Sequence, residues 1–532
     1  MNEIKLLDCT LRDGGYVNDW EFGQDNLVSI FERLVSSNVD IIEVGFLDDR
    51  RIFDRNRSIM PDTNSVEQIY GSVDQKAAMI VGMIDYGTCP LENIQPCEES
   101  YLDGIRVIFK KNLMHEAISF CKEIKNLGYQ VFTQAVSITS YSDEELMELI
   151  GLVNELRPYA VSMVDTYGLL HQDNLLHYYE LLDRHLVSEV GIGYHSHNNF
   201  QLAYANCIEM LKQQSRRMML IDGSLYGMGK SAGNAPIELL AMHLNERYGK
   251  NYDVNQMIEA IDGNIMKIHQ KTPWGYNLFY YLAASNKCHP SYTQYLMNKH
   301  TLSIKSVNEI SERIELDKKL LYDENYIENL YCQYQKKECD DSISRQSLYQ
   351  LLCDKNIMVI GPGRTIKTEL ELIKAYRAEN KDAIVIAINF IPDTVQVDYV
   401  FLSNSRRYIH VNKALKAAAN KQVQVIATSN VTGTNRQFQF VLNNELLLDE
   451  EAEFADNSFV MLLKILQAIE VKSVICAGLD GYSSEEDNYA NEDMEYWFAK
   501  RKASLLNEYV RAFLKTVKTP PLSFLTKTYY QD

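Results

Sequence analysis

Eight short apolar runs recur over roughly the first 240 residues, most of them separated by enough polar-faced chain for a helix. They are Leu6–Leu11, Ile41–Phe46, Ala78–Ile84, Gly104–Phe109, Gln130–Ile138, Val161–Gly168, Val190–His197 and Met219–Leu225. Short apolar runs bounded by polar residues read as buried strands. Between them lie amphipathic stretches such as Asn26–Ser37, Met114–Leu127 and Asn174–Leu182, and a helix start at Ser142-Asp143-Glu144-Glu145. Eight βα units in succession predict an α/β chain opening on a (β/α)8 TIM barrel. An open doubly wound sheet is the competing architecture, but it rarely runs to eight uninterrupted units. Active sites of such barrels lie at the carboxyl ends of the strands, which directs attention there.

The first strand ends in Arg12 and Asp13, the second in Glu43, the third in Asp85 and the fifth in Gln134. The sixth ends in Asp165 and Thr166, and the seventh in His195-Ser196-His197. Charges at the end of a buried strand are costly unless they bind something or each other. His195 and His197 are two apart, so on a strand they point the same way. With Asp13 they make a two-histidine, one-carboxylate set suited to a divalent cation with open positions. The eighth run leads into Gly227-Met228-Gly229-Lys230-Ser231-Ala232-Gly233-Asn234.

Together, Asp8-x-Thr10-Leu11-Arg12-Asp13-Gly14, Glu43, His195-x-His197 and Gly227-x-Gly229-x-x-x-Gly233-Asn234 resemble the DRE-TIM metallolyase superfamily, closest to its 4-hydroxy-2-oxovalerate aldolase branch. That group also includes HMG-CoA lyase and isopropylmalate synthase. The resemblance covers about half of the chain. It implies that Asp13, His195 and His197 bind Mn2+ or Mg2+, with Asn234 completing or approaching the shell. It further implies that Arg12 stabilises an enolate, that Glu43 holds Arg12, and that Gln134, Asp165 and Thr166 lie near substrate. The expected reaction makes or breaks a carbon–carbon bond beside a 2-oxo acid, with a carbonyl compound as partner. Tyr16 departs from the aldolases, which tend to carry a histidine base there. Either a depressed phenol acts as base, or Tyr16 shapes the pocket and a water on the metal moves the proton. The alternatives are an acyl-CoA-dependent condensing enzyme and a non-catalytic nucleotide-binding module.

Residues 1–250 are expected to form the barrel, 251–354 a helical region and 355–532 a second α/β domain. The middle region includes Trp274-Gly275-Tyr276, His289-Pro290 and a charged surface run, Lys336–Asp341. In the last domain the strand Ile357–Ile360 runs into Gly361-Pro362-Gly363 and a helix, where glycines let backbone amides approach a phosphate. Without the full Gly-x-Gly-x-x-Gly and an acidic ribose partner, a dehydrogenase is not expected. Gly361, Gly363, Asn389 and Asp480 resemble the nucleotide-binding folds of certain bacterial sialyltransferases, implying a Rossmann-like domain with a nucleotide or nucleotide-sugar partner.

A net charge of −19 argues against a nucleic-acid partner, which would need a basic face. No apolar run reaches the roughly 20 residues of a membrane span. The amino terminus runs straight into a strand rather than a signal peptide, and the 10 cysteines include no Cys-x-x-Cys pair. These features predict a cytoplasmic protein without disulfides or a zinc site. The superfamily resemblance implies a homo-oligomer.

Overall fold

The computed structural model describes residues 3–299, 302–335, 339–431, 438–449, 454, 456–495 and 497–531. The start of the charged run predicted at Lys336–Asp341 lies outside them. The chain divides into two compact units, Met1–Pro290 and Ser291–Asp532.

The first unit is a closed barrel of eight parallel strands: β1 (Ile4–Asp8), β2 (Ile41–Leu47), β4 (Met79–Asp85), β5 (Gly104–Phe109), β6 (Gln130–Ala135), β7 (Ala160–Asp165), β8 (Gly191–Ser196) and β9 (Met219–Gly223). A two-residue strand, β3 (Ile59–Met60), lies beside β2. β1 pairs with both β2 and β9, which closes the ring. Amphipathic helices such as Gln24–Ser36, Met114–Asn126 and Asp143–Leu156 return the chain between strands and bury Leu27, Phe31, Ile124 and Leu149. The predicted capping sequence at Ser142 forms a reciprocal capping box with Glu145.

The barrel interior changes character along its axis. One inward layer is apolar, with Leu7, Ile41, Val81, Phe132, Ala160 and Leu220 packed together. Two residues further along the strands the inward positions are Glu43, Arg106, Gln134, Ser162, His195 and Asp222, all buried. The apolar layer seals the amino end, so the polar layer forms the floor of the carboxyl-end site.

After the barrel, helix Leu278–Ser285 follows, and helix Pro290–Asn298 begins at the His289-Pro290 step. Tyr281 packs on Phe200, and His289 lies edge-on to Tyr167, which lays residues 278–289 against loops at the carboxyl ends of β7 and β8.

Among the described residues the second unit has seven parallel strands: β10 (Asn356–Ile360), β11 (Ile384–Ile388), β12 (Tyr399–Leu402), β13 (Gln424–Thr428), β14 (Phe440–Leu442), β15 (Ser473–Ala477) and β16 (Leu522–Phe524). Their order is β14-β13-β12-β11-β10-β15-β16. Alternate residues feed two separate cores: Ile357, Val359 and Phe401 on one face, and Met358, Ile360 and Val400 on the other. Both faces are therefore covered, as a parallel sheet requires. The three-residue edge strands β14 and β16 were not foreseen, being too short to stand out as apolar runs.

Candidate metal centre and active site

Beyond β1 the chain turns at once, with the Asp13 amide donating to the Cys9 carbonyl (2.8 Å), and this swings Arg12 and Asp13 over the barrel mouth. There Asp13, His195 and His197 bring one ligand atom each to within 4.8 Å of one another, all three buried. His195 Nε2 lies 3.9 Å from Asp13 Oδ1. No other group of three or more such side chains is placed for a metal among the described residues.

A ring of charge surrounds this point. Arg12 donates from Nη1 to Asp13 Oδ1 (2.6 Å) and from Nε to Glu43 Oε2 (2.7 Å). Arg106 Nη1 lies 3.1 Å from the same Glu43 oxygen, and its Nη2 donates to Asp222 Oδ2 at 2.5 Å. Asp222 in turn holds His195 Nδ1 at 2.9 Å, which closes the ring back to Asp13. Pairing His195 Nδ1 with a carboxylate directs its Nε2 at the metal position. Arg106 and Asp222 were missed in the sequence. Each interrupts an apolar strand run, and the cost of burying an unpaired charge there was the signal that could have found them.

The donor set fits a cation. Burial works against the charge on Asp13, yet Arg12 and then the two histidines hold its carboxyl below the ordinary range. Burial pushes the His197 imidazole down to about 3, so it is neutral and able to ligate. His197 Nδ1 and Asn234 Oδ1 are buried with no partner among the described residues. The Asn234 amide donates to Asp13 Oδ2 at 2.9 Å, which places Asn234 against the cluster. Gly229 makes this close approach possible. A Cβ there would sit 2.4 Å from Asn234 Nδ2 and 2.6 Å from Asp13 Oδ2.

Tyr16 stands at the mouth, 42% exposed, with its ring against Trp20 (4.8 Å) and Phe46 (6.0 Å). Its enclosure and the Asp13 charge raise the phenol above its ordinary value, so the protein's own groups do not supply the depression a base would need. Gln134 is buried and accepts from Arg106 (3.1 Å), with its Nε2 unpartnered in the barrel interior. Asp165 and Thr166 are occupied by backbone. Asp165 accepts the Leu169 and Leu170 amides, and Thr166 accepts the Ser137 amide. Burial raises Asp165 to about 6 despite those bonds. Both residues shape loops at the mouth in this arrangement.

In the second unit, Gly363, Asn389 and Asp480 line one cavity together with Arg407, Asn457 and Ser458. Gly361 lies beside them, at the point where the strand order reverses between β10 and β15. The turn does not present the backbone cradle expected of it. The Gly361 and Gly363 amides donate to Ala477 and Gly478 carbonyls (2.8 Å each), and the Thr365 amide to Asp480 (2.9 Å). An internal carboxylate thus stands where a phosphate was expected. Asn389 spends its amide on Ser403 and Ser458.

Residues 3–263 match the HMGL-like family model. An oxaloacetate decarboxylase from Mycobacterium tuberculosis is 25% identical over 244 residues, 46% of this chain and 70% of that protein. A 4-hydroxy-2-oxovalerate aldolase from Bacillus cereus is 26% identical over 269 residues, 49% of this chain and 76% of the other. A 2-isopropylmalate synthase from Sulfolobus acidocaldarius is 23% identical over 256 residues, 47% of this chain and 64% of the synthase.

Proposed function

Residues 3–263 are an HMGL-like domain of the DRE-TIM metallolyase superfamily, and on that premise we propose a divalent-metal-dependent lyase or aldolase. It makes or breaks a carbon–carbon bond beside a 2-oxo acid, through a pyruvate-type enolate. The observation that carries this reading is the convergence of Asp13, His195, His197 and the Arg12 guanidinium on one buried spot. Asp13, His195 and His197 would hold Mn2+ or Mg2+, with Asn234 beside them. Such an ion supplies positive charge to the keto and carboxylate oxygens of the substrate.

The chain's own residues do the rest. Glu43 and Asp13 fix Nε and Nη1 of Arg12, which leaves Nη2 as its donor toward substrate. A guanidinium stays protonated and rigid, so it stabilises an enolate oxygen without reorganising. Trp20 Nε1 donates to the Arg12 carbonyl (2.8 Å) and fixes the turn beneath. Tyr16, Trp20 and Phe46 form an aromatic wall on that side of the mouth. Gln134 offers its unpartnered Nε2 from below. Asp165 and Thr166 order the loops that complete the pocket.

The same cation set would serve a condensation with an acyl-CoA, and the assays separate the two. Pyruvate release from 4-hydroxy-2-oxo acids or oxaloacetate, dependent on added Mn2+ and abolished by Asp13→Ala, supports the lyase. Metal-dependent release of free coenzyme A from acetyl-CoA and a 2-oxo acid, with no pyruvate released, replaces it. For the second unit we propose a Rossmann-like fold with a nucleotide or nucleotide-sugar site in the cavity at Asn389 and Asp480. Side chains rather than the glycine turn would meet the ligand, and equilibrium dialysis with labelled nucleotides tests it.

A further inference from the structure

Lys230 has no role in the chemistry above, yet it is fixed at the rim of the same pocket. The loop from Gly227 to Asn234 is tightly constrained: Gly229 packs on Asp13 and Asn234, and the Lys230 amide donates to Asp13 Oδ2 (3.1 Å). The side chain rises from there to place its ammonium 5.2 Å from the centre of the Tyr16 ring. It forms no ion pair and no side-chain hydrogen bond among the described residues. An ammonium held at the pocket rim without an ion pair, near the candidate cation site, is placed to receive an anion.

Tyr16 marks the outer edge of the pocket, whereas the Asp13, His195 and His197 cluster is fully buried. An anion at Lys230 therefore belongs to the part of a substrate that projects away from the metal-bound end. We infer that Lys230 is the anchor for a second, distal carboxylate, and that the preferred substrates of this barrel are 2-oxo acids carrying a terminal anionic group. This rests on the enolate reading above.

The test is calorimetric titration of the full-length, Mn2+-loaded protein with 2-oxoglutarate and with its neutral counterpart 2-oxopentanoate. In the wild type the dianion should bind at least about tenfold more tightly, the scale of one charge-assisted contact. Lys230→Met should bring the ratio of the two dissociation constants near one, and Lys230→Arg should restore most of it. A parallel Mn2+ titration confirms that each variant keeps its metal site. A ratio near one in the wild type, or a ratio unchanged in Lys230→Met, overturns the assignment of Lys230 alone. Binding of neither acid to the loaded wild type overturns the enolate reading, and this assignment with it.

Discussion

Replacing Asp222 with asparagine perturbs the charge ring while leaving the proposed metal ligands Asp13, His195 and His197 unchanged in sequence. The Asp222 carboxylate is buried, pairs with Arg106 at 2.5 Å and holds His195 Nδ1 at 2.9 Å. Removing one partner of a buried ion pair costs about 3–5 kcal/mol. Arg106 keeps Glu43 and Gln134, each at 3.1 Å, which argues for the lower end, about 3 kcal/mol. At roughly 2–4 °C per kcal/mol for a unit of this size, the metal-free Tm should drop by about 6–12 °C. His195 also loses the charge that fixes its tautomer, so Mn2+ affinity should fall about 10–100-fold. Differential scanning calorimetry and Mn2+ titration read the two effects separately. The pH dependence adds a third check. Burial opposes ionisation of Asp222, but Arg106 and His195 outweigh it and keep its pKa below the ordinary value. Its stabilisation is therefore present above about pH 4 and fades as pH falls, where mutant and wild type should converge. A Tm within 2 °C of wild type together with Mn2+ affinity within about threefold would refute the idea that this ring orients His195.

Gly229→Ala should weaken Mn2+ binding about tenfold or more although it replaces none of the proposed ligand residues, because its Cβ would displace Asp13 and Asn234; unchanged affinity on titration counts against the loop packing. Asp8 is buried with its pKa raised to about 7. The folded state therefore holds a proton that the unfolded chain releases near pH 4, and stability should decline by a few kcal/mol between pH 4 and 7. Asp8→Asn should flatten that decline in thermal unfolding at pH 5 and 7.5, and an unaltered slope sinks the assignment. In the second unit, Gly363→Ala puts a Cβ 2.4–2.7 Å from the Asp480 carboxyl group. It should cost about 1–3 kcal/mol, seen as an earlier unfolding transition, and a wild-type profile would show that the turn is looser than described.

The barrel was legible because a parallel strand buried on both faces leaves a continuous apolar run, and eight of them in register admit few closures. The approach of the two histidines was legible for a similar reason, since His195-x-His197 on a strand fixes a shared direction without tertiary information. What could not be read was pairing across the barrel. Arg106 and Asp222 are 116 residues apart in sequence and meet only because β5 and β9 face one another across the closed interior. Asp165 and Thr166 looked like substrate groups by position. In the fold Asp165 accepts the Leu169 and Leu170 amides of its own loop and Thr166 the Ser137 amide of the loop after β6, and the second of these pairings is not local in sequence. The glycine turn after β10 carried the right residues for a phosphate, but Asp480, over a hundred residues later, fills that place. Lys230 stood in plain view inside the Gly227–Asn234 loop. Its lack of a counter-ion is a property of the folded mouth alone.

The most direct test of the proposed chemistry is exchange of the pyruvate methyl protons in D2O, followed by NMR with Mg2+-loaded protein. Those protons exchange only if an enolate forms, so no second substrate need be known. The reading predicts exchange that requires the metal, is lost in Asp13→Ala and is strongly reduced in Arg12→Lys. A metal-loaded wild type that leaves the methyl protons in place, or exchange that persists at the same rate in Asp13→Ala, would contradict it.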